Sequence, residues 1–269
     1  MTIKRRNHGS GHSYLIDGQK CAGVTSILSM VPKNALVDWA GRTTAEYAID
    51  HWADLAEARP SERLARLNRA RFAERDAAAR RGTQVHRLAE GLAVGDSVDV
   101  PEELAGHVHA YTDFLDRVDP DPVAVELVVA HRGSDAIAEP GYCGTADLIA
   151  DLPALSIRGE RVQPARWLLD IKTSRSGIFR ETALQLCAYQ RAHVYTRGDD
   201  AEYPIADLGI ERAGAIHVRS DGWDLIPVDT TDDVWSYFCH LAWLYSREEY
   251  SQAWIGSPID PPARIEATA

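Results

Sequence analysis

Trp167-Leu168-Leu169-Asp170-Ile171-Lys172-Thr173-Ser174 is the stretch that decides how this chain is read. Three apolar residues run into Asp-Ile-Lys, the pattern of a buried strand whose last residues carry an acid and a base. Side chains alternate across a strand, so Asp170 and Lys172 share one face while Ile171 points into the core behind them. Taken alone, the pair is a structural ion pair at a strand end, because two opposite charges offset part of each other's desolvation.

Its neighbours add chemistry. Upstream, Tyr142 to Leu152 reads as a second strand, which carries an acid, Asp147. Downstream, Glu181 to Tyr189 is helical, with Gln185 and Tyr189 one turn apart on one face. Gly82-Thr83-Gln84-Val85-His86 sets an imidazole on another helix, and a glycine there costs stability unless backbone must come close to something. Val123 to Ala130 is a β-branched, apolar strand interrupted only by Glu126. An acid in that position needs a metal, a lysine or water beside it, and Lys172 or a metal-bound water is the expected neighbour.

The strands around Glu126, Asp147 and Asp170 follow one another through turn-rich loops, 132–141 and 153–166, and read as an antiparallel meander. Beyond a Ser174 to Gly177 loop, a helix is expected over Ile178 to Tyr195, with Leu184, Cys187, Ala188 and Tyr195 inward. Gly214 to Arg219 and Trp223 to Val228 flank Ser220-Asp221-Gly222 as a hairpin, whose first strand would pair parallel to the Asp170 strand after a crossover. Thr230 or Thr231 would cap a closing helix with Val234, Phe238, Leu241 and Leu244 or Tyr245 inward.

Toward the N-terminus, Ser13 to Lys20 is a hairpin turning at Asp17-Gly18, and Thr25 or Ser26 would cap a short helix that Pro32 ends. A helix follows from Asn34, carrying Trp39 and Arg42, which would either pack or touch nucleic acid. Pro60-Ser61 starts a long helix in which Arg63, Arg66, Arg69, Arg71, Arg75, Arg80 and Arg81 are interleaved with acids; it continues past His86 to a stop at Gly95. Another helix spans about Pro101 to Val118.

The ordered set of His86, Glu126, Asp147 after Gly144, Asp170, Lys172, Gln185 and Tyr189 resembles the PD-(D/E)XK nuclease superfamily, and within it the Cas4-like and RecB-like exonucleases found in phages. That resemblance implies an α/β (α+β) fold: a central mixed β-sheet flanked by helices, a restriction-endonuclease-like core with an N-terminal helical elaboration. It implies one domain over 1–269, with the elaboration at 1–75, the core at 76–250 and a tail at 251–269. It further implies cleavage of phosphodiester bonds at DNA ends, in recombination, replication or repair, with magnesium or manganese. Asp147 and Asp170 would be metal ligands, with His86 and the Ile171 carbonyl completing the shell. Lys172 would orient the attacking water, and Gln185 and Tyr189 would position Lys172 or the phosphate. Arg81, Arg175, Arg42 and Trp39 are the candidates for holding linear DNA, and a single-strand annealing protein is the natural partner of an enzyme that resects ends. Two rivals use the same residues: a non-catalytic module that binds DNA ends, and a metal-dependent phosphohydrolase acting on a small substrate.

Composition sets bounds. At 269 residues and 45% hydrophobic, the chain is long enough for one elaborated domain with a full core. It shows no apolar run of bilayer length and no signal-peptide core, so no membrane association and a cytoplasmic location are expected. Cys21, Cys143, Cys187 and Cys239 are scattered with no C-x-x-C spacing, a departure from the many Cas4 relatives that hold an iron-sulfur cluster, and no such cluster is expected. The net charge of −11 requires that any DNA-facing surface be a local basic patch on an acidic molecule.

Overall fold

The computed structural model describes residues 2–8, 11–133, 141–157, 159–175, 177–198 and 201–258. It opens with three strands, β1 (Ile3–His8), β2 (Gly11–Ile16) and β3 (Gln19–Gly23), followed by helices α1 (Val24–Ile27), α2 (Asn34–Asp50), α3 (Trp52–Glu57), α4 (Pro60–Ala93) and α5 (Ala105–Val118). Then come β4 (Asp121–His131), β5 (Tyr142–Leu152), a small hairpin of β6 (Leu155–Ile157) and β7 (Glu160–Val162), and β8 (Ala165–Lys172). Helix α6 (Arg180–Gln190), strands β9 (Val194–Thr196), β10 (Tyr203–Pro204), β11 (Arg212–Arg219) and β12 (Gly222–Val228), and helix α7 (Asp232–Ser251) complete it. This is a mixed α/β fold, a curled mixed sheet flanked by helices.

The expected meander is present: β4 pairs antiparallel with β5, and β5 with β8. Strand β11 then pairs parallel to β8, from Arg212↔Trp167 to His217↔Lys172, and turns back as β12. Strand β4 covers one edge of β5 along most of its length. The other edge is shared. Strand β3 pairs parallel with it at Ala22↔Tyr142 and Gly23↔Cys143, and β8 pairs antiparallel from Leu148↔Leu169 to Leu152↔Ala165. Residues 144–147 of β5 therefore lie at a fork between β3 and β8.

Two apolar layers sandwich this sheet. On one side α1, α6 and α7 close over Leu127, Ile149 and Leu168, with Leu186 and Phe238 at the centre. On the other, α5 and the end of α4 cover Leu148, Trp167, Leu169 and Ile171 through Tyr111 and Phe114. Ile171 is indeed inside, 3% exposed, while Asp170 and Lys172 face away from it into a cleft.

Several expectations change. Helix α6 ends at Gln190, and Tyr195 belongs to β9, which pairs with the β4 edge at Val128, Val129 and Ala130. The chain leaves the helix because His193 N–H donates to Ala130 O at 2.9 Å, starting that ladder; Tyr195 is still buried. Neither Thr25 nor Ser26 caps α1, which starts after Gly23 without a side-chain cap. Strand β1 was not anticipated, because Ile3-Lys4-Arg5-Arg6-Asn7-His8 is polar; its ladder to β2, with only Ile3 buried, holds it in place. In α7, Tyr245 rather than Leu244 packs on the core. The β2–β3 turn falls at Asp17 and Gly18, with φ of 51° and 83°, as a two-residue hairpin turn demands. Part of the arginine-rich helix is architectural, since Arg63 donates to the carbonyls of Leu55, Ala56 and Ala58 at the end of α3. All four cysteines are thiols, Cys143 and Cys187 buried. Of the expected loops and tail, residues 134–140, 158, 176 and 259–269 lie outside the described residues.

Candidate active site

Register alone brings the acids together. The β5–β8 ladder ends at Leu148↔Leu169, Asp147 and Asp170 are the next residues on the two strands, and Asp147 Oδ2 accepts the Ile171 backbone N–H at 2.8 Å. The backbone of β8 thereby fixes the carboxylate of β5. Helix α4 crosses close to this point: a Cβ on Gly82 would sit 3.3 Å from Thr173 Oγ1, so the bare glycine lets the helix lie against the end of β8. One turn later His86 places Nδ1 3.2 Å from Asp147 Oδ2.

The second half of the site is a relay. Lys172 Nζ lies 2.5 Å from Asp170 Oδ2 and donates to Gln185 Oε1 at 3.1 Å. Gln185 Nε2 donates to Asp170 Oδ1 at 2.8 Å and to the Tyr189 hydroxyl at 3.2 Å. The i, i+4 spacing on α6 thus does what the sequence suggested, with Gln185 touching the acid, the lysine and the tyrosine at once.

Charge states follow from burial and neighbours. Burial pushes the Asp170 carboxyl above its usual range, and the nearby Asp147 charge adds to it against the pull of Lys172. Burial opposes the charge on Asp147 too, but His86, Lys172 and the Ile171 N–H outweigh it and hold that carboxylate below its usual range. Burial also works against the ammonium of Lys172 and the imidazolium of His86; Asp170 and Asp147 overcome it and raise both. Tyr189 is driven far upward, chiefly by burial, and stays a neutral phenol.

These groups open onto a cleft of about 760 Å³. Glu126 lines it but does not meet Lys172: its Oε2 pairs with Arg5 Nη1 at 2.7 Å, from the unanticipated β1. The residue is held at φ 50°, a backbone state rare outside glycine, which turns its carboxylate toward the hairpin. Sequence reasoning missed Arg5, His12 and Tyr14 on the β1–β2 hairpin, and Arg87 and Glu90 on α4, all of which line the cleft. The available signals were the basic run Lys4-Arg5-Arg6 and the spacing of Glu90 one turn after His86. Tyr14 reaches Thr145 Oγ1 with its hydroxyl at 2.8 Å and so anchors the hairpin to the fork.

Among the described residues, no three His, Cys, Asp or Glu side chains are gathered as a ready ligand cluster; His86 is turned onto Asp147 and Lys172 onto Asp170. Yet Asp170 Oδ2 is buried and receives no well-directed hydrogen bond, despite the nearby ammonium. Such an oxygen is a natural ligand for a hard cation, and two carboxylates with one imidazole suit magnesium or manganese. The four DNA-holding candidates fall outside this cleft. Arg81 and Arg175 lie near His107, whose imidazole burial and these two charges depress. Arg42 is exposed on α2, and Trp39 lines a different groove.

No family model matches the chain, and no curated protein matches it. Among solved structures, one described as "Crystal structure of SSO0001" is similar at 14% sequence identity, over 59% of this chain and 64% of that one, with a TM-score of 0.30. The chain thus spans somewhat under two thirds of that protein's length. Among the described residues, no helix is long and apolar enough to cross a membrane.

Proposed function

We propose that this protein is a metal-dependent deoxyribonuclease that hydrolyses phosphodiester bonds at DNA ends, using magnesium or manganese, in recombination, replication or repair. The reading rests on one observation: Asp147, Asp170, Lys172, Gln185 and His86, drawn from two strands and two helices, line a single open cleft. An ion pair that served only the fold would have no reason to face a cavity of about 760 Å³.

Asp147 and Asp170 would hold the cation, with His86 and the Ile171 carbonyl completing its shell; when bound, it supplies charge neutralisation at the phosphate and a lowered pKa for water. Lys172, kept protonated by Asp170, then holds the attacking water and the developing negative charge. Gln185 fixes both partners of that pair, so the ammonium cannot swing out of the cleft. Arg5, His12 and Arg87 supply positive or hydrogen-bonding contacts for the flanking backbone, on a wall otherwise acidic through Glu90 and Glu126.

Linear and circular DNA incubated with magnesium, manganese or chelator test this directly. Cleavage confined to linear DNA and to the metal-containing reactions is expected, with loss of at least a hundredfold in Lys172→Ala. Binding of ends without cleavage by the intact protein would leave a non-catalytic module instead, and cleavage by purified Lys172→Ala would reject the role given to that lysine.

A further inference from the structure

A second groove, about 960 Å³, lies between α2 and α4 and is absent from the chemistry above. Its walls carry Trp39 and Lys33 on one side and Arg71, Phe72 and Arg75 on the other. Phe72 is 37% exposed, and the guanidiniums of Arg71 and Arg75 lie 4.5 and 4.7 Å from its ring centre. An exposed Arg-Phe-Arg stack opposite a half-buried tryptophan is a surface of planar groups edged with positive charge. Bases stack on rings and on guanidinium planes alike, and phosphates meet the cations, so the matching occupant is a single strand of nucleic acid. Among the described residues, Asp76 pairs with Arg75 here at 2.8 Å; being exposed, that pair yields readily to a phosphate.

The groove is also connected to the cleft. Helix α4 lines both, and at 100° per residue Arg71, Arg75, Gly82 and His86 fall on one stripe of its surface, Arg75 and His86 about 17 Å apart along the axis. On the opposite wall, Val24 and Thr25 of α1 border the cleft, while Ser29 and Met30 border the groove, roughly 6 Å further along the chain. One helix face and one short segment thus run from groove to cleft as two rails.

We propose that this groove is a second binding station, which takes single-stranded DNA by stacking and phosphate contacts and aligns it along α4 toward the cleft. The direction of travel rests on the nuclease reading; the binding itself does not. Fluorescence anisotropy with an oligothymidylate of about twenty nucleotides, in chelator so that nothing is cut, measures it. Phe72→Ala and Arg71→Glu, both at exposed positions, each weaken binding roughly tenfold while the circular dichroism spectrum and thermal midpoint stay as in the parent. Unchanged affinity in both variants overturns the proposal and leaves the groove to a protein partner. Linear-DNA cleavage by the intact protein, assayed in parallel, separates the two readings: binding lost in the variants with no cleavage by the parent leaves the station standing without the nuclease, and cleavage with unaltered variant affinity does the reverse.

Discussion

A Cβ built on Gly144 would lie 2.2 Å from Cε1 of Tyr189, so the tyrosine ring occupies the space that any other residue at 144 would fill. The glycine at the fork of β5 is therefore what admits α6 to the sheet, and with it Gln185, one turn before Tyr189. Gly144→Ala forces the ring aside at a cost of about 1–3 kcal/mol, read as a lower thermal midpoint. On the nuclease reading proposed above, it also slows DNA cleavage, because Gln185 moves with the helix. A variant with parental stability and activity would show that the ring has room elsewhere.

Gln185→Leu keeps the shape of α6 while removing the amide that joins Asp170, Lys172 and Tyr189. Cleavage should fall about 10- to 100-fold, as for other residues that orient ligands without touching substrate. Steady-state rates on linear DNA check this, and an unchanged rate means that the pair needs no third partner.

Asp170→Asn removes the buried, poorly satisfied carboxylate that would hold the cation. Isothermal titration with manganese should show affinity at least tenfold weaker than in the parent. On the proposed metal reading, ion at about a hundred times its dissociation constant would add about 2.7 kcal/mol of stability to the parent. Equal heats for parent and variant would place the ion elsewhere.

Away from the site, His131 is buried, and burial followed by the neighbouring His193 lowers its pKa from 6.5 to about 4. Its Nδ1 accepts the Gly133 N–H at 3.1 Å, a bond the imidazolium cannot accept. The unfolded chain thus takes up this proton before the folded one does. The contribution is fully present above pH 6.5 and is lost as pH falls toward 4, by up to about 3 kcal/mol. Urea melts across that window should show the slope in the parent and a flatter one in His131→Phe; parallel curves would assign the slope to other groups.

Much of this was legible in the chain. The β8 strand with Asp170 and Lys172 outward and Ile171 inward and the pairing of Gln185 with Tyr189 on α6 follow from residue periodicity, the meander with β4 and β5 from the turn-rich loops, and the parallel return of β11 from the crossover rule. Less visible was anything depending on what a segment packs against. Strand β1 is too polar to announce itself, and α6 gives way to β9 because the β4 edge offers it a ladder.

By itself the sequence determined which residue types sit on which face of which element, since alternation along a strand and the helical turn are local properties of the backbone. Only the tertiary structure decided that β3 and β8 divide one edge of β5, that Glu126 turns to Arg5 rather than Lys172, and that α4 carries His86 onto Asp147. Those relationships join residues far apart in the chain, and they are set by edge hydrogen bonding and close packing at glycines, which no local pattern encodes.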